Sequence, residues 1–138
     1  MPQPSILDIK YPEPQCQQVR GGLFPLYELT SDYHYEFRFR GLPVVTVVPA
    51  GFRYSATFGS FLFWRKDIHK SAHTLFHDWG YTHRGKVTLT CGINADLTKK
   101  NVDRLFLQGI RRDLNVQNWR ANVASGAFKT LGYILWLT

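Results

Sequence analysis

The sequence predicts an α+β domain, in which a small N-terminal antiparallel β-sheet is followed by about three packed α-helices. Residues 33–40 alternate aromatic side chains with charged or polar ones, which is the period-two pattern of a strand with one buried face. Later segments instead space their apolar residues three and four apart, as one face of a helix does. Strands followed by helices are the order typical of an α+β fold.

The length and composition indicate one packed domain with an N-terminal extension. The chain has 138 residues, of which 44% are hydrophobic and 15% aromatic, and this suffices for a single core. Residues 1–25 contain several prolines, a Gln-rich patch and a Gly-Gly pair. We therefore expect residues 1–25 to form an extended arm, lying on the domain or on a neighbouring chain, and residues 26–138 to form the α+β domain.

The strand pattern at residues 33–40 is the first of several local predictions in the sheet region. A turn at Gly41-Leu42-Pro43 and a β-branched strand over Val44–Val48 follow it. We expect residues 52–67, which are aromatic and irregular, to be a loop packed over the core. The weak alternation over Lys86–Cys91 predicts a short strand or hairpin.

Three segments of the second half have helical patterns. Apolar residues recur at helical spacing from Ile68 to about His83. Thr98 is a suitable N-cap for a helix over Lys99–Asp113, because its hydroxyl can accept a backbone N–H of the first turn. A last, glycine-containing helix is predicted to begin near Gln117.

Charge and cysteine content restrict the class of protein. The net charge is +7, from 17 basic and 10 acidic residues, and the basic residues are dispersed, which favours a plain basic domain over nucleic-acid binding. Cys16 and Cys91 predict two reduced thiols, with a single disulfide as the alternative. We expect no signal peptide and no transmembrane segment, since no apolar run approaches the roughly 18 residues that a membrane span needs.

The stretch from Phe76 to Tyr81, read as FHDWGY, contains the residues best suited to chemistry. His77 and Tyr81 are four apart and share a helix face, while Asp78 is turned by about 100 degrees. If the next helix packs antiparallel, Asp103 can reach His77 and fix its tautomer. Such a histidine can act as a base on water, while a hard cation held by Asp78 polarises a carbonyl group.

These motifs resemble those of the phospholipase A2 superfamily, whose pattern is HD-x-x-Y followed later by an Asp. The resemblance implies catalytic roles for His77, as the base, and for Asp103, which orients it, with Tyr81 in support. It implies that Asp78 binds calcium and that the protein is a calcium-dependent ester hydrolase or envelope lytic factor acting on membrane lipid. For this function we expect Nδ1 of His77 to contact Asp103 and an open cleft to lead to the other nitrogen.

Three stretches, Val48–Phe52, His77–Tyr81 and Asp103–Phe106, carry a wider resemblance. Over roughly residues 27–136, the chain resembles a domain-of-unknown-function family (number 1353) that is common in tailed phages and prophages. The resemblance implies a structural or assembly protein, such as a tail, baseplate, connector or capsid accessory subunit. Its expected partners are other phage structural proteins or further copies of this chain, and its expected location is the virion or the host cytoplasm.

Two other interpretations of the same residues remain open. A buried His77 bonded to Asp103 would hold two helices together without any turnover of substrate. Alternatively, His69, His73 and His77 are spaced four apart and could bind zinc on one helix face, or they could simply form a solvated histidine face. A role against host defence leaves no recognisable pattern in the sequence.

Overall fold

The computed structural model describes residues 2–22, 25–55, 66–115 and 136, without the side chains of residues 66 and 67. The α+β prediction is confirmed, because two three-stranded antiparallel sheets precede the helices and a two-stranded sheet lies before the last described helix. The strands are β1 (Ser5–Ile6), β2 (Cys16–Arg20), β3 (Leu26–Leu29), β4 (Tyr33–Phe39), β5 (Leu42–Val48), β6 (Arg53–Tyr54), β7 (Lys86–Thr88) and β8 (Asn94–Asp96). The helices are α1 (Lys66–Lys70), α2 (Ala72–Thr82) and α3 (Lys99–Asp113).

The β4–β5 hairpin forms two of the three strands of the first sheet, whose order is β1-β4-β5, with β4 at the centre. Its aromatic residues Tyr33, Tyr35 and Phe37 are buried and the residues between them are exposed, as the alternation predicts. The turn lies one residue earlier than expected, at Arg40-Gly41, where φ is 54° and 79°. Two-residue hairpin loops favour these positive angles, so the second strand already begins at Leu42.

The N-terminal segment, predicted as an extended arm, lies on the domain and contributes two strands to its sheets. Strand β1 pairs with β4, and β2 pairs with β3 in a second sheet of order β2-β3-β6. Strand β6 falls within the region expected to be an irregular loop. The predicted short hairpin is β7–β8, which a bridge between Thr46 and Leu89 connects to β5.

The helix expected over residues 68–83 is divided into α1 and α2 at Ser71. This residue has extended backbone angles (φ −66°, ψ 155°), and its hydroxyl accepts the N–H of Thr74, so it caps α2. The N-cap predicted at Thr98 is confirmed, since its hydroxyl accepts the N–H of Asn101, and α3 has the predicted bounds. The helix predicted from Gln117 lies outside the described residues.

Two further features were anticipated from composition. Cys16 and Cys91 are both free thiols. In the described part of the chain, no helix is long and apolar enough to cross a bilayer.

Helix α2 packs between the first sheet and α3. On the sheet side, the rings of Tyr35 and Phe76 stack with centroids 4.3 Å apart and planes only 4° from parallel. On the α3 side, a Cβ at Gly80 would lie 2.8 Å from Val102, and a Cβ at Gly109 would lie 2.2 Å from the ring of His73. The absence of side chains at these two glycines therefore permits the close approach of the helices.

Substitution of Gly109 by alanine tests this close packing. In an ordinary helix interior the change would stabilise the protein by about 1 kcal/mol. Here the added methyl group meets the His73 ring, and we expect destabilisation by about 1–3 kcal/mol, as in other overpacked cores. The free energy of unfolding, measured by urea denaturation, checks the sign.

The same substitution in a His73→Ala background is the matched control. With the ring removed, Gly109→Ala should be neutral or stabilising, because the methyl group then has space. An equal loss of stability in both backgrounds would contradict the proposed contact.

Candidate functional site

Helices α2 and α3 bring together three of the residues singled out in the sequence. Nε2 of His77 lies 2.8 Å from Oδ1 of Asp103, and the hydroxyl of Tyr81 donates to the same oxygen at 2.6 Å. His77 and Tyr81 stand one helical turn apart on α2, so both reach one carboxylate on the neighbouring helix. The expected contact between His77 and Asp103 is therefore present.

A fourth residue, Lys99, completes this cluster and was not anticipated. Its Nζ donates to Oδ2 of Asp103 at 2.8 Å, one turn earlier on α3. Both side chains are buried: Lys99 is 7% exposed and Asp103 is 8% exposed. Lysine at i and aspartate at i+4 on a predicted helix is a signal that could have suggested the pair, although it more often marks a solvated helix face.

The three donors determine the protonation state of Asp103. Burial raises the pKa of this carboxyl, but the hydrogen bonds from His77, Lys99 and Tyr81 outweigh burial and leave the pKa below its ordinary value. The ionised carboxylate can only accept hydrogen bonds, so Nε2 of His77 carries the proton that it donates.

The orientation of the His77 ring differs from the one expected of a phospholipase-like site. Nε2 contacts Asp103, whereas the prediction assigned Nδ1 to this contact. The residue is 8% exposed, so the expected open approach to the ring is not observed at this residue. The cause is tertiary: the crossing of α2 and α3 presents Asp103 to the far end of the imidazole.

Asp78, the expected calcium ligand, forms a different contact. Its Oδ2 accepts the backbone N–H of Ser55 at 2.7 Å, which links α2 to the residue that follows β6. Burial raises the pKa of Asp78 to about 6, although the Ser55 hydrogen bond and the nearby His77 act in the opposite direction. Among the described residues, no three His, Cys, Asp or Glu side chains converge in a way that could hold a metal ion.

A second His–Asp pair joins the same two helices and was missed by the sequence analysis. Nε2 of His73 lies 2.7 Å from Oδ2 of Asp113, and its Nδ1 lies 2.9 Å from the hydroxyl of Tyr35. Burial lowers the pKa of His73, partly offset by Asp113, so the neutral ring is favoured. A cavity of about 170 Å³, lined in part by Tyr11 and Ser71, adjoins this second pair.

The histidines that suggested a zinc site are arranged differently from that prediction. Both ring nitrogens of His73 and Nε2 of His77 are engaged by protein groups. His69 lies on α1, beyond the break at Ser71, so the three histidines do not share one continuous helix. The spacing of four that suggested a common face therefore does not hold across Ser71.

The two clusters are suited chemically to joining helices through matched donors and acceptors. Comparison with protein-family models, with curated proteins and with solved structures finds no match for this chain. The geometry of the described residues is therefore the basis for assigning a function.

Replacing Asp103 by alanine should destabilise the fold strongly. The change leaves the buried Lys99 ammonium without its carboxylate, and removal of one member of a buried pair typically costs about 3–5 kcal/mol. Urea unfolding of the variant gives this value directly.

The double variant Lys99→Met with Asp103→Leu is the control for uncompensated charge. Because both charges are absent, it should recover a large part of the lost stability. If the double variant were as unstable as Asp103→Ala, the loss would not arise from the buried ammonium.

The raised pKa of Asp78 predicts a pH window for stability. The native state holds the proton more tightly than the unfolded chain, so this carboxyl makes stability fall as pH rises from about 4 to about 6. Asp78→Asn keeps an acceptor for the Ser55 N–H and removes this fall. The difference in melting temperature, variant minus wild type, should therefore increase across the window and level off above it.

Asp32→Asn is the matched control for the loss of one negative charge. Asp32 accepts the backbone N–H of Ala50 at 2.8 Å, but at an exposed position. A pH profile for Asp78→Asn that merely parallels the wild-type profile would refute the burial argument.

Proposed function

We propose that this chain is a structural or assembly protein of the phage type, in which the His-Asp motif joins helices α2 and α3 and has no catalytic role. The structural assignment is supported by the carboxylate of Asp103, both oxygens of which accept hydrogen bonds from buried or partly buried donors. The phage context comes from the resemblance of three short stretches, Val48–Phe52, His77–Tyr81 and Asp103–Phe106, and no family model adds to it. Other virion proteins, or further copies of this chain, are the partners that the proposal implies.

The position of Lys99 is the observation on which the proposal depends. A carboxylate that assists a histidine base must stabilise the imidazolium formed when the base takes a proton. Here an ammonium group already bonds the other oxygen of Asp103 at 2.8 Å and compensates its charge. Because Lys99 shares the carboxylate with His77, Asp103 stabilises an imidazolium less than an unshared carboxylate would.

A calcium-dependent, phospholipase A2-like hydrolase is the second candidate. The shared use of Asp103 by His77 and Tyr81 favours it, because this is the arrangement that the motif resemblance implies. It further requires calcium at Asp78 and access to His77. Both functions predict a stabilising role for the cluster, so the experiment must measure chemistry as well as stability.

Ester hydrolysis separates the two candidates. We expect the purified protein to release no more fatty acid from anionic phospholipid vesicles with calcium than the His77→Gln variant does. Glutamine can still donate a hydrogen bond to Asp103, so this variant should remain folded, which circular dichroism can verify. Calcium-dependent release by the wild type that is lost in folded His77→Gln would instead support the hydrolase.

Particle composition tests the assembly role itself. In cells that encode this chain and produce particles, we expect density-gradient purified particles to contain it at a fixed ratio to the other virion proteins. Quantitative mass spectrometry of the peak fractions measures that ratio. Abundant chain in the lysate, together with its absence from intact particles, would reject the proposal.

A further inference from the structure

Residues 2–7 lie in a groove between the edge of β4 and helix α3. Ser5 and Ile6 pair with Arg38 and Phe37 of β4, so that the arm adds a short strand to the sheet. Leu7 is 8% exposed and provides the apolar anchor of this segment. The arrangement is β-strand addition, in which main-chain hydrogen bonds provide much of the recognition.

Helix α3 contacts the main chain of the arm through a stripe of polar residues one turn apart. Gln108 accepts the N–H of Ile6 at 3.2 Å. Arg112 donates to the carbonyl oxygens of Leu7 and Ile9, the latter at 2.8 Å. Because these contacts are made to backbone groups, the groove recognises an extended strand more than a particular set of side chains.

The strand and the rest of the chain are joined by an exposed linker. Asp8, Ile9 and Lys10 are all exposed, whereas Tyr11 is held by stacking on Tyr35 at a centroid distance of 5.1 Å. Three extended residues span roughly 10 Å. The segment before the linker can therefore leave its groove, with loss of the hydrogen bond from the Leu7 N–H to the Tyr11 hydroxyl, while the Tyr11 ring stays stacked on Tyr35.

We propose that this groove also binds the Pro2–Leu7 segment of a second copy, so that two chains exchange arms. The exchanged strand makes the same contacts as the original one, so the balance between the two forms is set chiefly by chain concentration and linker geometry. Exchange thus supplies a means of linking copies where their local concentration is high. The expectation of a high local concentration rests on the proposed assembly role, but the exchange can be tested separately.

Cysteine pairs placed across β1 and β4 distinguish exchanged arms from unexchanged ones. In a Cys16→Ser, Cys91→Ser background, Ser5→Cys and Arg38→Cys stand directly opposite each other. Both substitutions in one chain should give an intrachain disulfide in a monomer. A mixture of the two single variants, incubated at high concentration and then oxidised, should give a covalent dimer with a 5–38 disulfide, identified by peptide mapping.

Ser5→Cys mixed with Lys86→Cys is the control for random collisions, since Lys86 is exposed on β7 and away from β1 in the sheets. We expect several-fold more 5–38 dimer than 5–86 dimer. Equal yields, with the intrachain bond formed in the double variant, would overturn the exchange. Failure of the double variant to form that bond would overturn the arm placement on which the proposal depends.

Different results would refute the proposed exchange and the proposed assembly role. A chain found in particles without a 5–38 dimer in solution would refute exchange and leave the assembly role supported. A 5–38 dimer from a chain that is absent from particles would support exchange and reject the proposed function.

Discussion

The ionised carboxylate of Asp103 is the constraint on which the arrangement of α2 and α3 depends. A buried carboxylate is tolerated only when its charge and its lone pairs are satisfied, and here His77, Tyr81 and Lys99 do this together. Two of these donors come from the other helix, so the carboxylate requires α2 at a defined distance and rotation. Gly80 and Gly109 have no side chain, and a larger residue at either position would prevent this approach.

A second polar path couples the sheet to the N-terminal arm. It runs from the Tyr35 hydroxyl to His73 and Asp113, and from Asp113 to Arg112 at 2.7 Å. Arg112 in turn bonds two carbonyl oxygens of the arm. The arm therefore depends on the same helix pair as the core, and the two His–Asp contacts serve different parts of the fold.

The charges around Asp103 distinguish a structural role from a catalytic one better than the His-Asp motif does. A histidine beside an aspartate is compatible with both catalysis and structure, and the two differ in what else bonds the aspartate. In this protein Lys99 compensates the carboxylate, and His77 is largely buried. These features favour a cluster that maintains one helix arrangement.

The sequence by itself determined the α+β class, the buried face of β4, and the Thr98 cap with the bounds of α3. These follow from local periodicity and capping, which act over a few residues. Only the tertiary structure decided the meeting of His77 with Asp103 and the ring nitrogen that faces the carboxylate, the contact of Asp78 with Ser55, and the pairing of His73 with Asp113. These side-chain contacts depend on the crossing and spacing of elements that are distant in sequence. The break at Ser71 instead depends on a local competition between capping and helix continuation, which hydrophobic periodicity does not detect.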